Sequence, residues 1–281
     1  MPPARRILQP LGVAAAVGLG WGLFEAQWVE FDEVEVPLER LPRDLDGFTV
    51  LHLSDFHLGT VSLNRRTLER AVEWARRREV DVVALTGDLL SRPRGEASLR
   101  GAVAALRARH GVYAVLGNHD VASTRDPFSR PADVRALSEA GALLLEDASV
   151  ILEVDGRRVQ IAGGHPSVGW GERRLEQLAD PTADLTIFLF HFPDVTEWLP
   201  PRAYDLVLAG HLHGGQICLP APGGKIRLEH LRARHWEGLH ETPAGMLHVS
   251  RGLGTSFVPF RFLARPHATK LVLRCRTGST R

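Results

Sequence analysis

Short apolar runs punctuate the chain from about residue 48 onward. Residues 48–53, 81–86 (DVVALT), 112–116, 142–145, 185–190, 206–209, 246–249 and 270–274 are too short for helices and read as strands. Between the early runs, residues 64–78 carry Leu68, Ala71, Val72 and Ala75 at helical spacing. Residues 99–109 and 131–140 read as two further helices. Residues 150–154 and 158–162 flank Asp155-Gly156, a strong hairpin signal. Alternation of strand and helix, followed by hairpins, predicts an α/β domain of mixed sheets with helices outside. No internal repeat or low-complexity linker breaks residues 48–281, so one domain is expected there.

The first thirty residues follow another pattern. Residues 7–24 carry no charge and, as a helix, would span roughly 27 Å, close to the hydrocarbon thickness of a bilayer. Arg5 and Arg6 precede the run, Glu25 closes it, and Trp21 and Trp28 sit where an interfacial belt belongs. Three readings fit: a retained signal anchor, a cleaved signal peptide, and a buried helix or tail. No A-x-A site follows the run. The expectation is a transmembrane anchor over 1–28 and a linker over 29–47. The positive-inside rule then puts the domain outside the cytoplasm, with the cytoplasmic face as the alternative.

Composition narrows the chemistry. There are 34 Lys and Arg against 33 Asp and Glu, a net charge of +1, so no nucleic-acid partner is expected. Residues 223–281 hold eleven Lys and Arg against three Glu, which reads as a solvated basic sheet edge or as a surface facing lipid or phosphate. Two cysteines, Cys218 and Cys275, cannot make a disulfide scaffold, and the sequence leaves open whether they pair. The 13 histidines stand out, because imidazole is the commonest metal ligand.

Five motifs each follow a predicted strand: Asp55-Phe56-His57, Gly87-Asp88, Gly117-Asn118-His119-Asp120, His191, and Gly210-His211-Leu212-His213. Strand ends are rigid supports for side chains that loops leave accessible. Carboxylate, imidazole and amide donors suit Mn, Fe or Zn. On an extended segment, His211 and His213 would point the same way. His52 reads as a core or supporting residue, and His165 is set aside. His110, His230, His235, His240, His248 and His267 have no matching context, and positions 230, 235 and 240 read as solvated.

This ordered series resembles the calcineurin-like metallophosphoesterases over about residues 50–249. The GHLHGGQ segment, the WGLFEA lead-in and the Gly-Leu-Gly-Thr-Ser stretch resemble the membrane-anchored branch, similar to UDP-2,3-diacylglucosamine pyrophosphatases of lipid A biosynthesis. The resemblance implies a four-layer α/β/β/α sandwich and two divalent metal ions. Asp55, His57, Asp88 and His213 would hold the first. Asp88, Asn118, His191 and His211 would hold the second, with Asp88 bridging. His119 would be catalytic, contacting the phosphate or protonating the leaving oxygen. The implied substrate is a phosphorylated small molecule or lipid, such as UDP-2,3-diacylglucosamine, met at a membrane. The alternative is an exported phosphodiesterase or phosphatase acting on cell-envelope polymers or nucleotides.

Overall fold

The computed structural model describes residues 3–121, 126–127, 129–130, 133–167 and 175–276, with the side chains of the first helix described from residue 12. Residues 131–132 of the third expected helix, the side chains of Arg5 and Arg6, and Arg281 lie outside that description.

Two six-stranded sheets face each other. The first runs β1 (Glu30–Leu38), β14 (His267–Cys275), β2 (Thr49–Leu53), β3 (Val82–Thr86), β4 (Val112–Val115), β5 (Ala142–Leu144). The second runs β12 (Gly238–Thr242), β13 (Gly245–Val249), β9 (Leu206–Ala209), β8 (Leu185–Leu189), β7 (Arg157–Gly163), β6 (Ala148–Val154). A separate hairpin pairs β10 (Cys218–Ala221) with β11 (Gly224–Arg227). Strands β2, β3 and β4 are parallel neighbours, as are β8 and β9. Every residue of β3, β8 and β9 is buried, the signature of parallel strands covered on both faces.

Three apolar clusters set the layers. Helices α2 (Asn64–Arg76), α3 (Glu96–Ala105) and α4 (Arg135–Glu139) press Leu68, Ala71, Leu99 and Leu137 onto Leu51, Leu53 and Leu85 of the first sheet. Between the sheets, Val50, Val82 and Val115 meet Ile161, Ile187 and Leu208. On the far side, Phe188, Tyr204 and Leu247 are covered by Leu175, Val195 and Leu199. The fourth layer therefore differs from the four-layer expectation. Among the described residues it consists of 3-10 turns at Leu175–Leu178 and Pro193–Glu197. Pro193 opens one turn and Pro200-Pro201 closes off the chain beyond it, leaving no room for a full helix.

Residues 29–47 are not a linker. Strand β1 pairs in parallel with β14 from Glu30↔His267 to Leu38↔Cys275. Val36 and Leu38 are buried while Glu33, Glu35 and Pro37 are exposed, so the strand alternates around its charges. Those charges match β14: Lys270 Nζ lies 3.6 Å from Glu33, and Arg274 donates to Glu35 at 2.9 Å. Arg251 similarly donates to Glu30 at 2.7 Å. Pairs this close to solvent contribute about 0–1 kcal/mol each, so they serve register more than stability. They engage three of the eleven cations after residue 223.

The N-terminal expectation needs correction. Among the described residues, no helix is long and apolar enough to cross a membrane. The transmembrane anchor expected over 1–28 is therefore not supported. Instead the last turn of α1 (Pro3–Glu25) is docked on the domain. Glu25 is buried and accepts from the backbone N–H of Ala264 at 2.8 Å and from Trp21 Nε1 at 2.9 Å. Gly22 O accepts from Arg261 N at 3.1 Å, and Gly22 lies against the Phe262 ring, where a Cβ would collide. Val13, Val17, Leu19, Trp21 and Phe24 of the same helix remain exposed.

A polar seam crosses the apolar interface between the sheets. His52 of β2 and His248 of β13 face each other with Nδ1 atoms 2.7 Å apart, and His52 Nε2 lies 2.8 Å from Thr86 Oγ1. One ring donates and the other accepts, so both are satisfied while neutral. Burial, reinforced by His248, holds His52 well below the ordinary histidine value. Burial, reinforced by His267, pushes His248 down to about 3. Below about pH 6.5 the unfolded chain takes up protons that the folded one refuses, so stability must fall as pH drops toward 3. Each such ring adds about 1.4 kcal/mol per pH unit in that window. Urea midpoints at pH 7, 6 and 5 should fall steadily, and His248→Gln should flatten the slope by about one proton. An unchanged slope in the variant would count against this account.

Candidate metal centre

The five motifs converge as the strand ends predict. Asp55 and His57 follow β2, Asp88 follows β3, Asn118 and His119 follow β4, His191 follows β8, and His211 and His213 follow β9. Three of these strands belong to one sheet and two to the other. The parallel ladder continues into the loops: Asp55 N donates to Gly87 O at 3.0 Å and His57 N to Asp88 O at 2.9 Å. Gly210 N likewise donates to His191 O at 3.0 Å. The two halves are joined where His211 N donates to Asp55 Oδ1 at 3.1 Å.

Five of these residues have left-handed backbones: Asp55 (φ 54°), His57 (46°), Asp88 (53°), His211 (74°) and His213 (49°). Such a residue costs about 1–3 kcal/mol and persists only where its surroundings enforce it. Asp and His tolerate this region better than most residue types. Here it turns each side chain back over the strand end. The extended arrangement expected for His211-Leu212-His213 is absent; His213 opens a 3-10 turn, and left-handed backbone at both histidines aims the rings. Gly117 and Gly210 are needed for space. A Cβ at Gly117 would fall on the Asp88 carboxylate, and one at Gly210 on Ser54 and Asp55.

The donor atoms fall into two groups that meet at Asp88. In the first, His57 Nε2 and His213 Nε2 are 3.0 Å apart, with Asp55 Oδ1 3.5 Å from His213 Nε2. His57 Nε2 is 3.6 Å from Asp88 Oδ2. In the second, His191 Nε2 lies 3.2 Å from Asp88 Oδ2, 3.2 Å from His211 Nδ1 and 3.1 Å from Asn118 Oδ1. The outward nitrogens are engaged elsewhere, His57 Nδ1 with Ser91 Oγ at 3.0 Å and His191 Nδ1 donating to Thr86 O at 2.8 Å. Such partners fix which nitrogen faces a metal. All these groups are buried except Asn118 and His211, which are partly exposed and mark the open side.

Electrostatics divides the donors. Burial holds His57 down at about 3, and burial with His191 and His57 respectively holds His211 and His213 well below the ordinary value. Neutral imidazoles are what metal ligation requires. Burial pushes Asp55 up to about 7, against the pull of His191. Burial also penalises Asp88, but His191 and His119 outweigh it and hold this carboxylate well below its usual range. Burial opposes charge on His191, yet Asp88 raises it to about 9. A cluster of inward lone pairs and carboxylates wants positive charge, and hard or borderline divalent ions fit this oxygen and nitrogen set.

Other residues support the donors. Asp120 accepts from Leu89 N at 3.0 Å, Leu90 N at 2.8 Å and Gly117 N at 2.9 Å, stapling two site loops together. Arg261 belongs to the stretch expected on a solvated face, yet it is fully buried. Its guanidinium donates to Ala264 O at 2.8 Å and His213 O at 3.1 Å, and it lies 3.3 Å from His213 Nδ1. His230 is exposed as expected, but its ring stands 5.1 Å from that of His211. Cys218 and Cys275 are both free thiols.

Comparison with known proteins agrees with the geometry. The sequence matches the calcineurin-like phosphoesterase family over residues 48–215. It is 32% identical over 230 residues to an uncharacterized metallophosphoesterase, YkoQ, of Bacillus subtilis (strain 168), covering 78% of this chain and 81% of that one. It is 25% identical to the phosphodiesterase YaeI of Escherichia coli (strain K12), covering 96% and 98%. It is 27% identical to the UDP-2,3-diacylglucosamine pyrophosphatase LpxG of Chlamydia muridarum (strain MoPn / Nigg), covering 84% and 87%. With a family match across more than half its length, the chain belongs to the calcineurin-like phosphoesterases and is a hydrolase acting on phosphoester bonds.

Proposed function

We propose that the protein holds two divalent ions and uses them to hydrolyse a phosphate ester or pyrophosphate carried by a lipid-linked substrate at a membrane surface. The observation that carries this reading is the pair of donor groups sharing Asp88. Asp55, His57, Asp88 and His213 hold one ion; Asp88, Asn118, His191 and His211 hold the other. Manganese, iron and zinc all suit the donor set. Two bound metals supply an activated water and a clamp on the phosphoryl oxygens. The chain's own part is geometric. The left-handed strand-end residues fix the donors, and Asn118 and His211 line the open side. His119, 5% exposed, presents Nε2 to the Asp88 side of the cluster at 3.9 Å and supplies a proton to the leaving oxygen.

Two observations favour a lipid-linked substrate such as UDP-2,3-diacylglucosamine. Exposed Val13, Val17, Trp21, Phe24 and Trp28 give the N-terminal helix and its exit an apolar surface fit for a bilayer interface. The likeness to LpxG extends over 84% of the chain. The likeness to YaeI supports the rival, a phosphodiesterase acting on nucleotides or envelope polymers.

Asp88→Asn should lower Mn²⁺-dependent hydrolysis of bis-p-nitrophenyl phosphate at least ~1,000-fold, about 4 kcal/mol, by weakening both ion sites. The variant should keep its thermal midpoint within a few degrees, and full activity would remove the bridging role. Wild-type protein should prefer UDP-2,3-diacylglucosamine over both p-nitrophenyl phosphate and its diester. Preference for the simple diester would favour the rival. In flotation, the full chain should rise with anionic vesicles and a Trp21→Asp/Phe24→Asp double variant should not; absence of wild-type binding would rule out the membrane surface.

A further inference from the structure

The loop following the Gly117-Asn118-His119-Asp120 motif buries two polar side chains behind the His119 ring. His119 Nδ1 lies 2.7 Å from Ser129 Oγ, and Ser129 Oγ donates to Asp126 Oδ2 at 3.2 Å. Asp126 Oδ2 is itself 3.8 Å from His119 Nδ1. Asp126 is 5% exposed and Ser129 8%. Burying a carboxylate and a hydroxyl is costly unless they are bonded, so this placement needs a return.

The loop is tied to the site at more than one point. Ser129 N donates to Asp126 O at 3.2 Å, closing a turn that sets the two side chains side by side. Arg130 N donates to Ser91 O at 2.8 Å, and Ser91 Oγ is the group that meets His57 Nδ1. The His119 backbone N–H is held by Asp88 Oδ1 at 2.8 Å, and its ring stands edge-on to His57 with centroids 4.5 Å apart. The ring is therefore gripped by its backbone, its flank and its Nδ1 edge.

We infer that Ser129 and Asp126 are positioning residues for His119, forming a relay that holds its Nδ1 edge and aims Nε2 at the departing oxygen. The inference rests on the phosphoester reading above. Because the Ser129 hydroxyl donates to Asp126, its oxygen accepts from His119, which fixes a proton on Nδ1. That leaves Nε2 as the nitrogen that faces the leaving oxygen and hands it a proton. As the oxygen of the attacking water bonds to phosphorus and the P–O bond to the leaving group breaks, the electron pair of that bond stays on the leaving oxygen, which takes the Nε2 proton. The ring keeps its Nδ1–H against Ser129, and the proton released by the attacking water restores Nε2.

A relay serving proton delivery matters only when the leaving group needs a proton. Ser129→Ala and Asp126→Asn should slow hydrolysis of an alkyl phosphodiester at least ~10-fold, while bis-p-nitrophenyl phosphate, whose p-nitrophenolate leaves unaided, should change less than ~3-fold. Ser129→Thr, which keeps the hydroxyl, should restore alkyl ester hydrolysis. Mn²⁺ bound per chain, measured by metal analysis, should equal wild type in all three variants. Equal losses on both esters, or no loss on either, would overturn the relay while leaving the phosphoester reading intact. Failure of wild-type protein to cleave either ester would overturn both.

Discussion

The arrangement depends on one buried carboxylate. Asp88 is 1% exposed at the end of a central strand, and its two oxygens face different neighbours. Oδ1 accepts from the His119 backbone, and Oδ2 faces the rings of His57, His119 and His191. A carboxylate so placed demands compensating positive charge, or its burial would be untenable. That demand explains why Gly117 passes where a larger residue would overlap Asp88. It also explains why residues on either side accept a strained backbone. The strain is local, while the restraint comes from two full sheets whose ladders extend into the loops. Rigidity in the strands is what permits strain at their ends.

Much of this was legible in the sequence, for a physical reason. Parallel strands buried on both faces must be short and continuously apolar, so DVVALT, LTIFLF and DLVLA stood out, and the polar residues after them marked the site. Features set by distant contacts obey different rules. Strand β1 was hidden because its outward acids interrupt its apolar run, and those acids make sense only beside β14. Arg261 looked like a surface cation because nothing nearby in sequence announces the backbone carbonyls that surround it. Ser129 and Asp126 are ordinary loop residues until folding brings them behind His119. Spacing suggested that His211 and His213 share a direction, but only backbone geometry shows how. The uncharged N-terminal run read as a span, whereas the contacts that dock its last turn come from residues more than two hundred positions away.

The docked helix end and the first donor group share a support. Residues 261–264 hold α1 through Arg261 N and Ala264 N, and the Arg261 side chain reaches the His213 turn. A fully buried guanidinium is stable only with many acceptors, and here several are backbone carbonyls of the loops that frame the site. Burial lowers Arg261 to about 9, with Asp55 opposing that effect, so even this cation lies within reach of the site's carboxylates. The apolar surface on α1 and the donor cluster are thus mechanically adjacent, joined through one segment of five residues or fewer.

The pairing of β1 with β14 has a consequence for how the molecule comes into being. Glu30 meets His267 across a separation that encloses the entire site. Strand β2 can pair with β3, and β3 with β4, as soon as those segments leave the ribosome. Strand β1, and the buried Glu25 next to it, must wait for residues synthesised at the far end of the domain. Contacts this distant in sequence carry the largest loop-closure entropy and form late. During that interval the apolar N-terminal helix has no docking surface. Until the domain closes, a nascent chain leaves the apolar residues of that helix uncovered. The order of assembly therefore makes the seating of the N-terminal helix one of the last contacts the chain can form.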